Sequence, residues 1–187
     1  GVRWADRIGK GIRTAPRDAL VADSIDESQR GLAFGFQRAA DTGGAMVGLL
    51  IALGIVWVAQ SSSLALGLDT FRMVVLASLL PAALAVLSLA VGAVEIQPAA
   101  SANPPKFALK SLGKPFMVFM LIVGLFDLGN SSDAFLVLRA QERGISVLGI
   151  LGMLVVFNLV YTLVSTPAGR LSDKINRRTL IIGGWLV

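Results

Sequence analysis

The side chains able to do chemistry in this chain are carboxylates and guanidiniums that interrupt otherwise apolar sequence. Asp127 and Asp133, with Asn130 between them, lie in the apolar run 115–138, and Arg3, Asp6 and Arg7 crowd the opening segment. Asp41 follows Arg38 by three residues at the head of another apolar run. An ionised group is expensive in a medium without water, so acids and bases kept there mark proton relays or solute pathways. Histidine and cysteine are absent. Their absence excludes disulfides, a thiolate nucleophile and the usual zinc sites. Any proton relay within this stretch must use carboxylates, since no imidazole is present to titrate near neutral pH. No paired-acid motif points to hydrolysis, and Gly9-Lys10-Gly11 before Arg13-Thr14 lacks both the spacing of a phosphate loop and a preceding strand. The expectation is a protein that is not an enzyme and carries no cofactor or metal.

Such residues need long apolar helices to hold them. The chain is 55% hydrophobic and 16% charged, with a mean hydropathy of +0.73, whereas soluble domains carry about 25% charged residues. Runs 42–68, 73–94 and 144–169 contain no charge at all, and each exceeds the roughly 20 residues that cross a bilayer core. Run 115–138 is as long but carries its two aspartates, which makes it a spanning helix with a polar face. Asp127, Asn130, Ser131 and Ala134 share that face, and Asp133 points elsewhere. Segment 1–22 is the most charged, with Arg3, Arg7, Lys10, Thr14 and Arg17 recurring at helical spacing. Lys10, Arg13 and Arg17 suit the inner surface of a membrane, on anionic lipid heads. Arg3, Asp6 and Arg7 lie deeper, against other helices or a watery cavity, and Asp6 can pair with Lys10.

Charge also sets orientation. The net charge is +5, and the cations gather at the ends of apolar runs, so topology explains them better than a nucleic-acid partner does. The sequence before Thr42, 97–114 and 170–178 are rich in Lys and Arg, so segments 23–31, 97–114 and 170–178 read as cytoplasmic; 61–69 has no Lys or Arg and reads as external. Segment 97–114 holds Pro98, Pro104 and Pro105 among Ala, Ser and Lys, a composition that forms spacers and no core. It divides the chain into residues 1–95, the end of one helix bundle; 96–114, a cytoplasmic linker; and 115–187, the start of a second bundle. The fold class is all-α and polytopic, in a cell membrane crossed several times. Gly44 and Gly48 form a small-xxx-small step suited to close helix packing, Arg38 and Asp41 are spaced to pair, and Asp133 near the outer mouth can pair with Arg139.

The tight turn Gly169-Arg170-Leu171-Ser172-Asp173-Lys174-Ile175-Asn176-Arg177-Arg178 between two apolar runs resembles the loop signature repeated in both halves of major facilitator superfamily (MFS) transporters, with Asn176 where that signature has Gly. The element around Arg3 to Leu20 is similar to the fourth helix of a bacterial exporter-like branch of that superfamily, in which an Arg, here Arg3 or its competitor Arg7, is linked to proton coupling. Segment 30–48 resembles the fifth helix, without the Pro usual after Gly48 in exporters, and 126–136 resembles the seventh. The resemblance implies helices four to nine of a two-bundle fold, a secondary transporter that moves a small solute by alternating access. Proton-coupled efflux across the plasma membrane by a monomer, as an antiporter, is the implied activity. A receptor or scaffold with the same fold and no transport is the alternative. The sites implied are Arg3, Asp6, Arg7, Asp41, Asp127, Asn130 and Asp133 for coupling or the solute path, and Gly169, Asp173, Lys174, Arg177 and Arg178 for a loop that biases two conformations. In that loop Asp173 can accept from helix N-terminal amides or from an Arg across the bundle, Arg177 and Arg178 anchor at lipid heads, and Pro167 before it loosens the end of the eighth helix.

Overall fold

The computed structural model describes residues 2–60, 65–92, 113–129 and 132–186, with the backbone alone at Val2, Arg3 and Asp6. Every regular element among them is helical: α1 (Val2–Asp23), a 3-10 turn (Glu27–Gln29), α2 (Arg30–Gln60), α3 (Leu68–Gly92), α4 (Gly113–Gly129), α5 (Asp133–Glu142), α6 (Val147–Ser172) and α7 (Arg177–Trp185). Four helical stretches are long and apolar enough to cross a membrane: Glu27–Gln60, Leu68–Gly92, Gly113–Glu142 and Val147–Ser172. Charge keeps α1 outside that set, although its length would suffice. Most large apolar side chains of these helices stay exposed, Val91 and Leu128 almost completely, while Ala39, Val56, Ala140 and Ile150 are the buried apolar residues described. In lipid an exposed Leu is at home, and association relies on close backbone packing and hydrogen bonds.

The most extensive helix contact pairs α2 with α6, which lie on opposite sides of segment 96–114 in sequence. The two run antiparallel, with Leu32 beside Asp173, Gly35 beside Gly169 and Thr42 beside Thr162. Consequently segments 23–31 and 170–178, both expected on the cytoplasmic side, meet at one end. Contacts of α2 with α3 and of α1 with α2 are smaller. Gly144 turns the chain from α5 into α6 with φ +74°, a left-handed conformation that favours Gly because a Cβ would crowd the backbone.

The seventh spanning helix is broken, against the expectation of one continuous run. α4 is described to Gly129, and α5 starts at Asp133 after Ser132, whose extended backbone (φ −68°, ψ 140°) lies outside the helix and whose hydroxyl accepts from the Ala134 amide at 3.3 Å. Short polar side chains favour caps over helix interiors. The polar face expected to run through 127–134 is therefore split between two helices, and Asn130 and Ser131 lie outside the described residues. Pro167 falls within α6, which continues unbroken to Ser172.

Candidate functional site

The end of the α2–α6 seam where segments 23–31 and 170–178 meet is closed by one carboxylate. Asp173 Oδ1 accepts from the Gly31 N–H and Oδ2 from the Leu32 N–H, each at 2.7 Å. The first amides of a helix have no intrahelical acceptor and carry the positive end of its dipole, so an anion there satisfies both needs. Local caps serve α5, α6 and α7, from Ser132, Ser146 and Asn176. Asp26, before the 3-10 turn that feeds α2, makes no side-chain cap hydrogen bond. The acceptor for α2 comes instead from a residue 141 to 142 positions further along the chain.

Directly below, the two backbones touch. A Cβ added at Gly35 would lie 2.6 Å from the Ser165 carbonyl oxygen and 2.9 Å from Gly169 Cα; one added at Gly169 would run into the Gly31 carbonyl and Gly35 Cα. Such an approach is possible only between glycines. One turn further, Ser165 Oγ donates to the Tyr161 carbonyl. The Thr42 and Thr162 hydroxyls then join across the seam at 2.9 Å. The seam thus includes an anionic cap, a glycine contact and a hydroxyl bridge. Contacts of this kind can part without unpacking a core.

The expected small-residue contact lies lower on α2 than the sequence suggested. Gly44 and Gly48 would accept a Cβ with no atom of the described residues within 4 Å, whereas Gly31 and Gly35 face α6. Gly31-x-x-x-Gly35 carried the same small-xxx-small signal and went unread, as did Ser165 and Thr162. Arg38 does not pair with Asp41. Asp41 lies 3.8 Å from Arg17 Nη1, and Arg38 turns to a groove between α2, α6 and α7, because its position faces away from α1. Arg17 Nε also bonds Asp18 at 3.3 Å, and Asp18 accepts from Gln37 at 3.2 Å, which ties α1 to α2. Arg139 pairs with Glu142 at 2.9 Å, one helical turn on, and Asp133 makes no ion pair among the described residues.

Asp127 sits in the last described turn of α4, exposed, and five residues before the extended Ser132. Arg7, Lys174, Arg177 and Arg178 are exposed; the side chains of Arg3 and Asp6, like Asn130, lie outside what is described. The structure brings Gly169 and Asp173 together with α2, and among the described residues no hydrogen bond or ion pair joins Asp127, Asp133, Asp41 and Arg7 to one another. No His, Cys, Asp or Glu cluster among the described residues could hold a metal ion.

Comparison with known proteins covers the whole chain. The sequence model of the Major Facilitator Superfamily matches residues 1–187. A protein of Methanocaldococcus jannaschii described as an uncharacterized MFS-type transporter is 34% identical over 190 residues. That alignment includes 97% of this chain and 45% of the relative, so the chain spans a little under half of that protein's length. No solved structure shows significant similarity to the chain.

Proposed function

The chain belongs to the major facilitator superfamily, and from that premise we propose that it is the central part of a secondary transporter, with α2–α6 as the interface on which its two bundles rock. Residues 1–95 close the first bundle, 115–187 open the second, and 96–114 link them on the cytoplasmic side. The observation that carries this reading is the Asp173 carboxylate on the Gly31 and Leu32 amides. It joins the two halves at the end that must open for a solute to reach the cytoplasm. When the bundles rock, the carboxylate and the amides part and are hydrated, and the equilibrium between inward and outward forms follows the balance of those two states.

Proton-coupled export of a small solute is the finer reading. Asp127 supports it, as a carboxylate at the break of a spanning helix, where interrupted helices place ion and solute sites in transporters. The reading is tested by solute-dependent proton flux in vesicles holding the full-length parent; no flux with any solute that binds would favour the receptor alternative. Asp127→Asn keeps size and hydrogen bonding but removes the titratable group. It should abolish accumulation against a gradient and preserve counterflow exchange. Normal accumulation with unchanged pH dependence would make Asp127 a packing residue and move the coupling site to Asp6, Asp41 or helices beyond this chain.

A further inference from the structure

We propose that the groove between α2, α6 and α7 seats an anionic phospholipid of the cytoplasmic leaflet, its headgroup held by Arg30 and Arg177. The groove measures about 560 Å³, and Arg30, Arg38 and Arg177 line it without a single acidic side chain. Its other walls include Phe34, Leu180 and Ile181. Cationic at several points and apolar between them, it matches neither a soluble anion nor a plain acyl chain.

The arginines lack protein partners of adequate strength. Arg30 Nη1 lies 3.2 Å from Glu27, but Glu27 is 86% exposed, and such pairs contribute little. Arg30 Nε is buried and has no acceptor among the described residues, a state that a donor avoids wherever an acceptor can reach it. Arg38 and Arg177 form no ion pair among the described residues. Asp173, four positions before Arg177, already has both oxygens on α2 amides. Arg38 is two turns above Arg30 on the same helix, about 12 Å deeper, and its flexible stem lets the guanidinium lean toward the surface.

A phosphodiester supplies what is missing. Its oxygens accept charge-assisted bonds from guanidinium forks, and its acyl chain covers Phe34, Leu180 and Ile181. Basic pockets between spanning helices on the cytoplasmic side suit anionic headgroups. Because Arg30 belongs to α2 and Arg177 to α7, the lipid ties the same two halves as Asp173 and favours the closed cytoplasmic end. The inference rests on the cytoplasmic placement of this end and is independent of the solute transported.

The test uses the full-length parent in nanodiscs of phosphatidylglycerol or phosphatidylcholine, with retained lipid read by native mass spectrometry. Phosphatidylglycerol should stay bound through detergent extraction and phosphatidylcholine should not. The R30Q/R177Q double variant should bind phosphatidylglycerol about thirtyfold more weakly, from two lost charges near the surface. R143Q, at the outer end, should bind as the wild type does. Equal retention of the two lipids, or undiminished phosphatidylglycerol on R30Q/R177Q, would overturn the proposal. So would displacement by millimolar inorganic phosphate, which would mark a soluble-anion site, or a photo-cross-link from position 30 to another segment of the parent with no lipid retained. Should the double variant not fold, the comparison of the two lipids on the wild type decides alone.

Discussion

Asp173→Asn in the full-length parent should move the balance between closed and open cytoplasmic ends about thirtyfold toward open, equivalent to about 2 kcal/mol. The size follows from the two bonds at stake. Both Asp173 oxygens accept from α2 amides at 2.7 Å, and hydrogen bonds to a charged group contribute about 1.5 to 3 kcal/mol against about 1 for neutral ones. Asn retains one acceptor and turns an NH₂ toward the second amide, and the favourable interaction with the helix dipole, about 0.3 to 1 kcal/mol, is lost as well. A cysteine placed at Ser165, whose carbonyl lies against Gly35 and whose side chain lines the groove beside the seam, reports the change through its rate of alkylation by a membrane-impermeant maleimide applied from the cytoplasmic side. Alkylation should accelerate in Asp173→Asn while solute affinity measured in the same preparation stays near wild type. An unchanged alkylation rate together with lost binding would mean that Asp173 belongs to the solute site.

Gly35→Val should be the most damaging single change on α2. The first carbon added meets the Ser165 carbonyl oxygen at 2.6 Å and Gly169 Cα at 2.9 Å, both backbone atoms that cannot swing aside. Overpacking of a tight contact costs about 1 to 3 kcal/mol, and here relief requires the helices to move apart, which pulls Gly31 and Leu32 away from Asp173. Transport should fall to background, with the cysteine at 165 permanently reactive. Gly48→Val offers the contrast, because a Cβ there meets nothing within 4 Å among the described residues. Equal tolerance of Val at positions 35 and 48 would show that the glycine contact is not maintained in the working protein.

Much of this arrangement could be read from residue types, and the exceptions share a cause. Long charge-free runs announce spanning helices because the bilayer fixes a minimum length, a signal that is local. The meeting of α2 with α6 is not local. Gly44-x-x-x-Gly48 and Gly31-x-x-x-Gly35 carry the same packing signal in sequence, and only the register against α6 selects the second. Arg38 is spaced to pair with Asp41, yet Arg17 from another helix takes that carboxylate. The seventh helix was read as continuous because its apolar content persists through 115–138. Ser132 held the local cap signal that divides it. Asp173 was legible as an anion able to meet helix amides; which helix it meets depended on topology.

The most direct test of the rocking interface is a reversible lock at its hydroxyl bridge. Thr42 and Thr162 face each other at 2.9 Å between oxygens, and neither this stretch nor its loops contain a native cysteine. In the full-length parent the pair Thr42→Cys and Thr162→Cys should form a disulfide on mild oxidation, stop transport in step with the cross-linked fraction, and regain it on reduction. A fully cross-linked protein that still transports at the reduced protein's rate would show that α2 and α6 move together and that the bundles part elsewhere.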